Sequence, residues 1–137
     1  RWLNMRLNRT EFMPFAPVVL DIHAKKFFKN FDKNDISSKF MTMTYYCTKK
    51  FKKMAPAVIH VDGTARPQIL NKEKDPWFYN FLLEYTKKTG EGCLINTSFN
   101  NHEEPIVCTP SNALKSLSRS NVDAIILSKK YIVTRKR

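Results

Sequence analysis

"DPWFYNFLLEYTKKTGEGCLINTSFN", residues 75–100, joins two patterns that together set the fold class. Asp75 is placed to cap a helix. Pro76 takes the first helical position, where its missing N–H costs nothing, and Gly90 ends the run. Trp77, Phe78, Phe81, Leu82 and Tyr85 recur at helical spacing, which predicts a stripe facing the core rather than a cofactor box. "CLINTSF", residues 93–99, then predicts a strand. It gives way at Asn96, Thr97, Ser98, Phe99 and Asn100 to amides and hydroxyls, a set suited to cradling a ligand.

Working outward, the same alternation recurs. "MPFAPVVL", residues 13–20, is extended, because two prolines exclude helix and an apolar run follows. "DIHAKKFFKNF", residues 21–31, predicts a helix with Asp21 as its cap. "FMTMTYYC", residues 40–47, predicts a strand rich in Thr and aromatic residues, and "APAVIHVDG", residues 55–63, another, stopped at Asp62-Gly63. "TPSNALKSL", residues 109–117, repeats the helix-start signal with Thr109 as cap. "VDAIILS" and "YIVTRK" are close enough to form a closing hairpin. Strands alternating with helices predict an α/β fold, a twisted mixed sheet with flanking helices, as one domain over residues 1–137. Ligands of open α/β sheets gather at strand carboxyl ends, and both "INTSFN" and "HVDGTARPQ" are predicted to lie at such ends.

Composition narrows the class. The chain has 137 residues, 42% hydrophobic and 26% charged, which is globular and enough for one core. No apolar run reaches the roughly 20 residues that cross a bilayer. The start, "RWLNMRLNRT", lacks both a signal-peptide core and an initiator Met, so a longer parent chain is expected. Cys47, Cys93 and Cys108 form neither a disulfide framework nor a zinc motif and predict buried, reduced thiols in a cytoplasmic protein. The net charge of +12 favours anionic partners. The lysine pairs are scattered, however, and the aromatics follow core patterns, so a nucleic acid is the weaker expectation and a membrane is not expected.

Three polar stretches interrupt the apolar pattern: "LNRTEFMPFAP" with Arg9, "HVDGTARPQ" with Arg66, and "INTSFNNHEEPIV". Guanidinium groups donate paired hydrogen bonds to phosphate and carboxylate and stay charged. Spacing alone leaves two readings open. Arg9 and Arg66 either grip a phosphorylated ligand with the Ser/Thr/Asn cradle, or sit in structural ion pairs while Ser98 and Asn100 cap a turn. His60 and Asp62, alternating on a predicted strand, share one face as an acid–base couple or, the preferred reading, a salt bridge. His23, His60 and His102 lack metal-ligand spacing, no nucleophilic triad is legible, and three Gly cannot supply a phosphate-binding glycine loop.

"LNRTEFMPFAPVVL", "APAVIHVDGTARPQ", "TGEGCLINTSFNNHEEPIVCTPSNAL" and "VDAIIL" together resemble, in order and spacing, the carboxyl-terminal domain of the O-carbamoyltransferase family, from about Leu3 to Ile132. The resemblance implies a YrdC-like fold that binds ATP, with Mg²⁺, and carbamoyl phosphate and makes a carbamoyl-adenylate. It further implies an amino-terminal partner domain of actin-like ATPase fold, which carries the metal site and passes the carbamoyl group to an acceptor hydroxyl that the sequence does not identify. By the same resemblance Arg9, Arg66 and Ser98 are catalytic. His60, Asp62, Thr64, Asn96, Thr97, Asn100 and Glu104 join Arg9, Arg66 and Ser98 in binding substrate. Asn8 stands where many members have Lys, and Glu103 where Gly is usual; both changes weaken anion binding. Two alternatives follow from the charge and from these departures: a basic RNA- or tRNA-binding module of YrdC type, or a degenerate interaction domain without catalysis.

Overall fold

The computed structural model describes residues 4–5, 14–100 and 104–135. They gather into two compact units, one from Pro14 to Thr97 and the other taking in residues 4–5 and the described residues from Ser98 onward.

The first unit is built on β1, Ala16–Leu20, which is buried along its whole length. It pairs in parallel with β4, Gln68–Leu70, and antiparallel with β5, Cys93–Asn96, giving the order β4-β1-β5. The expected α/β class with a mixed sheet is therefore what forms. Its mixed sense has a consequence for chemistry. Because β5 runs against its neighbours, its carboxyl end at Asn96 lies beside the amino ends of β1 and β4, with Ala16 opposite Asn96 and Val18 opposite Gln68.

Helix α1 follows β1 directly, over Asp21–Phe27. Asp21 is not its cap. The cap is Leu20, which makes no side-chain bond, and Asp21 sits inside the first turn, where its carboxylate faces the positive end of the helix dipole. Its Oδ1 accepts from the Ile22 amide at 2.7 Å and from the Tyr79 hydroxyl at 3.3 Å.

Helix α2 spans Lys49–Met54, capped by Thr48, and buries Phe51 against Phe27 and Phe28, with ring centroids 4.9 and 5.1 Å apart. Helix α3, Pro76–Thr89, begins and ends where the sequence predicts. The Asp75 carboxylate accepts from the Phe78 amide at 3.0 Å, and Gly90 takes the left-handed conformation at φ 76°. Its buried centre, however, is Tyr79 and Leu82, packed on Val18, Leu20 and Leu70, with Phe78 and Tyr85 on the flanks. Trp77 and Phe81 turn outward, 37% and 43% exposed, and stack on each other at 5.8 Å. The stripe is displaced because the Tyr79 hydroxyl finds Asp21, which lets a residue with a polar tip occupy the middle of the core face.

Two predicted strands shrink or vanish. Within residues 40–47 only β2, Tyr45–Tyr46, is a strand; Met41 has φ 56°, which breaks the extended run before it. β2 pairs with β3, Thr64–Ala65. Residues 55–63 are not a strand: Pro56–Val58 form a 3-10 turn, and residues 60–64 close a tight loop. Pro56 removes a ladder donor and the Asp62-Gly63 pair favours a turn, and these local preferences outweigh the apolar run.

The second unit contains α4, Pro110–Arg119, capped by Thr109 as predicted, and the predicted hairpin of β6, Ala124–Leu127, with β7, Tyr131–Thr134. Ser128 and Lys129 both have positive φ, the turn geometry that suits the twist of such hairpins. Ala113, Leu117 and Ile125 form the core of this unit. Of the three free thiols, Cys47 is buried and Cys93 half-buried, but Cys108 is exposed, against expectation. No helix among the described residues is long and apolar enough to cross a membrane.

Candidate functional site

Residues 60–64 form a loop held almost entirely by its own hydrogen bonds. The Gly63 amide donates to the His60 carbonyl at 2.9 Å, and the His60 amide to the Thr64 carbonyl at 2.8 Å. Asp62 Oδ1 accepts twice from Thr64, from its amide at 2.9 Å and from its hydroxyl at 2.8 Å. The same hydroxyl lies 3.0 Å from His60 Nδ1. A hydroxyl has one proton, and here it goes to the carboxylate, so Nδ1 must be the donor in the His60 contact. That fixes the neutral ring as the Nδ1–H tautomer and leaves a lone pair at Nε2. The expected direct salt bridge between His60 and Asp62 is replaced by this relay through Thr64, because the two residues lie in a turn and not along a strand. The Thr64 amide and hydroxyl hold the Asp62 carboxyl below its ordinary value, with His60 adding a smaller effect. Thr64 and Gly63 are buried, Asp62 is exposed and His60 half-buried.

This loop runs through β3 into Arg66, which is exposed, and then through buried Pro67 to Gln68 at the start of β4. Within "HVDGTARPQ", Arg66 thus follows the carboxyl end of the short β3 and lies just ahead of β4. The reversed sense of β5 brings the end of this stretch to Asn96. Asn96 Nδ2 donates to Gln68 Oε1 at 2.7 Å across the start of β1, and also lies 3.4 Å from Met41 Sδ. Gln68 was overlooked at the level of sequence, although its place in the quoted motif beside Arg66 could have marked it. It also lines an open pocket of about 440 Å³ together with Lys39, Phe40, Leu70, Lys74 and Phe78.

The remaining predicted residues fall elsewhere. Thr97 closes the first unit and is exposed. Ser98, Asn100 and Glu104 belong to the second unit. There Asn100 Nδ2 donates to the Glu104 carbonyl at 2.8 Å, and the Val107 amide to the Phe99 carbonyl at 2.8 Å. The Glu104 carboxylate reaches Arg119 at 3.2 Å. Ser98 is exposed. Arg9, with Asn8, His102 and Glu103, lies outside the described residues. Among the described residues no three His, Cys, Asp or Glu come together as a metal site.

The first unit thus joins the segment that carries Arg66 and Gln68 to the amide end of β5 at one end of its sheet. The model of the carbamoyltransferase C-terminus matches residues 1–135. The uncharacterized protein MJ1058 of Methanocaldococcus jannaschii is 37% identical over 128 residues, which cover 93% of this chain and 20% of that protein. Nodulation protein NolNO of Sinorhizobium fredii is 31% identical over 128 residues, covering 93% of this chain and 18% of the relative. Nodulation protein NolO of Bradyrhizobium diazoefficiens is 32% identical over 119 residues, covering 87% and 22%. The chain belongs to the carbamoyltransferase C-terminus family. It spans about a fifth of the length of these curated relatives.

Proposed function

We propose that this chain is the carbamoyl-activating part of an O-carbamoyltransferase, using ATP and carbamoyl phosphate to make a carbamoyl-adenylate for transfer to a hydroxyl. The observation that carries this reading is the 2.7 Å bond from Asn96 to Gln68, which joins the stretch containing Arg66 to the polar end of β5. Both stretches belong to the matched family region.

The chemistry suits residues of this type. Water releases carbamate and inorganic phosphate from carbamoyl phosphate. A carbamate oxygen then attacks the α-phosphorus of ATP, the bond to the bridging oxygen breaks, and pyrophosphate leaves. Such steps ask for alignment and charge neutralisation rather than a protein nucleophile. Arg66 neutralises phosphate charge, and the Nε2 lone pair of His60 accepts a proton or a hydroxyl hydrogen bond. Mg²⁺ would be held mainly by phosphate oxygens and water. The pocket beside Gln68 falls in the size range of small-molecule sites, with Phe40 and Phe78 to bed a nucleobase and Lys39 and Lys74 carrying positive charge.

The test is carbamoyl-phosphate-dependent exchange of labelled pyrophosphate into ATP by the parent protein. Exchange that falls at least a hundredfold in Arg66→Ala is the expected result. An absence of exchange in the unaltered protein refutes the reading.

A further inference from the structure

We propose that Lys52 is a phosphate-binding residue of this site, its ammonium resting against the Gly63 turn as a second cation in addition to Arg66. The proposal rests on the reading above that the site takes phosphorylated substrates.

Its starting point is Gly63, which is buried and has φ 83°. A Cβ built on Gly63 would collide with the Lys52 ammonium and come 3.2 Å from Lys52 Cε. The end of the Lys52 side chain therefore lies against the glycine, in space that any other residue would fill. Its helix is anchored to put it there. Thr48 caps α2 through the Phe51 amide at 3.3 Å, donates its hydroxyl to the Lys26 carbonyl at 3.0 Å, and precedes the fully buried Phe51. The Cys47 amide donates to the Gly63 carbonyl at 3.1 Å, tying the start of this segment to the turn itself.

Among the described residues Lys52 makes no ion pair. The Asp62 carboxyl, next in sequence to Gly63, is held by Thr64 and influenced by His60, with no contribution from Lys52. The buried Cys47 thiol, raised to about 11 by burial, registers both neighbours: Lys52 works to lower it and Asp62 to raise it. The turn thus has an acidic side and a basic side. A phosphate that approached Arg66 would meet the repulsion of Asp62, and Lys52 offsets that repulsion at the turn. Charge-assisted hydrogen bonds from an ammonium to phosphate are the stronger kind, and Lys is suited to giving them as a mobile point charge.

Lys53, next on α2 and also exposed, supplies a matched control with the same loss of charge. Binding of inorganic pyrophosphate to the full chain is measured by calorimetry at low and at moderate salt, for the unaltered protein and for Lys52→Met, Lys52→Arg, Lys53→Met and Arg66→Ala. Lys52→Met is expected to weaken binding about tenfold and to flatten its salt dependence, while the unfolding midpoint without ligand stays in place. Lys52→Arg restores most of the affinity, and Lys53→Met stays near the unaltered protein. If Lys52→Met binds like the unaltered protein while Arg66→Ala loses binding, the role of Lys52 is wrong and the parent reading stands. Equal weakening by Lys52→Met and Lys53→Met means a general charge effect and also overturns the role. If the unaltered chain takes no pyrophosphate, the functional reading and the Lys52 role fall together.

Discussion

The loop at residues 60–64 and the loop at residues 98–107 carry most of the polar residues singled out from the sequence, yet they are held in different ways. The first has a buried Gly63 and a buried Thr64, and its side chains bond to one another in a chain from His60 to Asp62. The second is held, among its described residues, by two bonds to backbone carbonyls, and its Glu104 carboxylate reaches out to Arg119 in an exposed pair. With Gly63 and Thr64 buried and its polar groups bonded to one another, the first turn holds those groups in place before any ligand arrives. The described residues of the second stretch make their bonds nearer the surface. Substitutions in the 60–64 turn should therefore be felt in stability and, in the proposed reading, in binding.

Gly63→Ala gives the largest expected effect on stability. At φ 83° a Cβ is sterically disfavoured, which costs about 1–2 kcal/mol. The Lys52 ammonium has to move as well, but it is the end of a flexible chain and moves cheaply. Chemical denaturation should show the loss of stability, and pyrophosphate calorimetry a weaker affinity. An alanine variant as stable as the unaltered protein would mean the turn is not rigid.

Thr64→Val comes next. It keeps the shape of the side chain but removes the hydroxyl between His60 and Asp62, leaving a half-buried Nδ1–H without its acceptor. A loss of about 1 kcal/mol is expected, typical of a neutral hydrogen bond. The sharper readout is nitrogen NMR of His60. The unaltered protein should show the Nδ1–H tautomer at high pH, and the valine variant should drift toward Nε2–H, the form favoured by a free imidazole. A ring that keeps its tautomer in Thr64→Val would show that the relay does not set it.

The course of this turn also marks where sequence reasoning succeeds and where it stops. Capping signals at Asp75, Pro76, Gly90 and Thr109 act through the adjacent backbone, so helices α3 and α4 were legible residue by residue. The closing hairpin was equally legible. The strand expected over residues 55–63 failed because an apolar run competes with Pro56 and Asp62-Gly63, and period alone does not decide that contest. The outward face of Trp77 and Phe81 was hidden for another reason. It depends on a hydroxyl contact between Tyr79 and Asp21, 58 residues apart. Within the site, the residue types were legible, but their partners were not. His60 was read as facing Asp62, when Thr64 stands between them. The meeting of Gln68 with Asn96 depends on the antiparallel sense of β5, which no local pattern encodes.

Glu104→Gln should give the smallest effect, and it tests the other half of the comparison. Glu104 pairs with Arg119 at 3.2 Å, with side chains 40% and 67% exposed respectively. Exposed pairs of this kind contribute little, because water screens the attraction and both long side chains lose freedom. The change should cost less than about 0.5 kcal/mol in stability. It leaves in place the Asn100 bond, which uses the Glu104 backbone carbonyl and not its carboxylate. The loop should therefore keep its shape, and denaturation curves of the two proteins should nearly superimpose. If the carboxylate also acts on substrate, as the family resemblance implies, pyrophosphate exchange will drop while stability does not. Should stability fall by more than about 1 kcal/mol instead, the Glu104 pair is as firmly built as the 60–64 turn, and the contrast between the two regions does not hold.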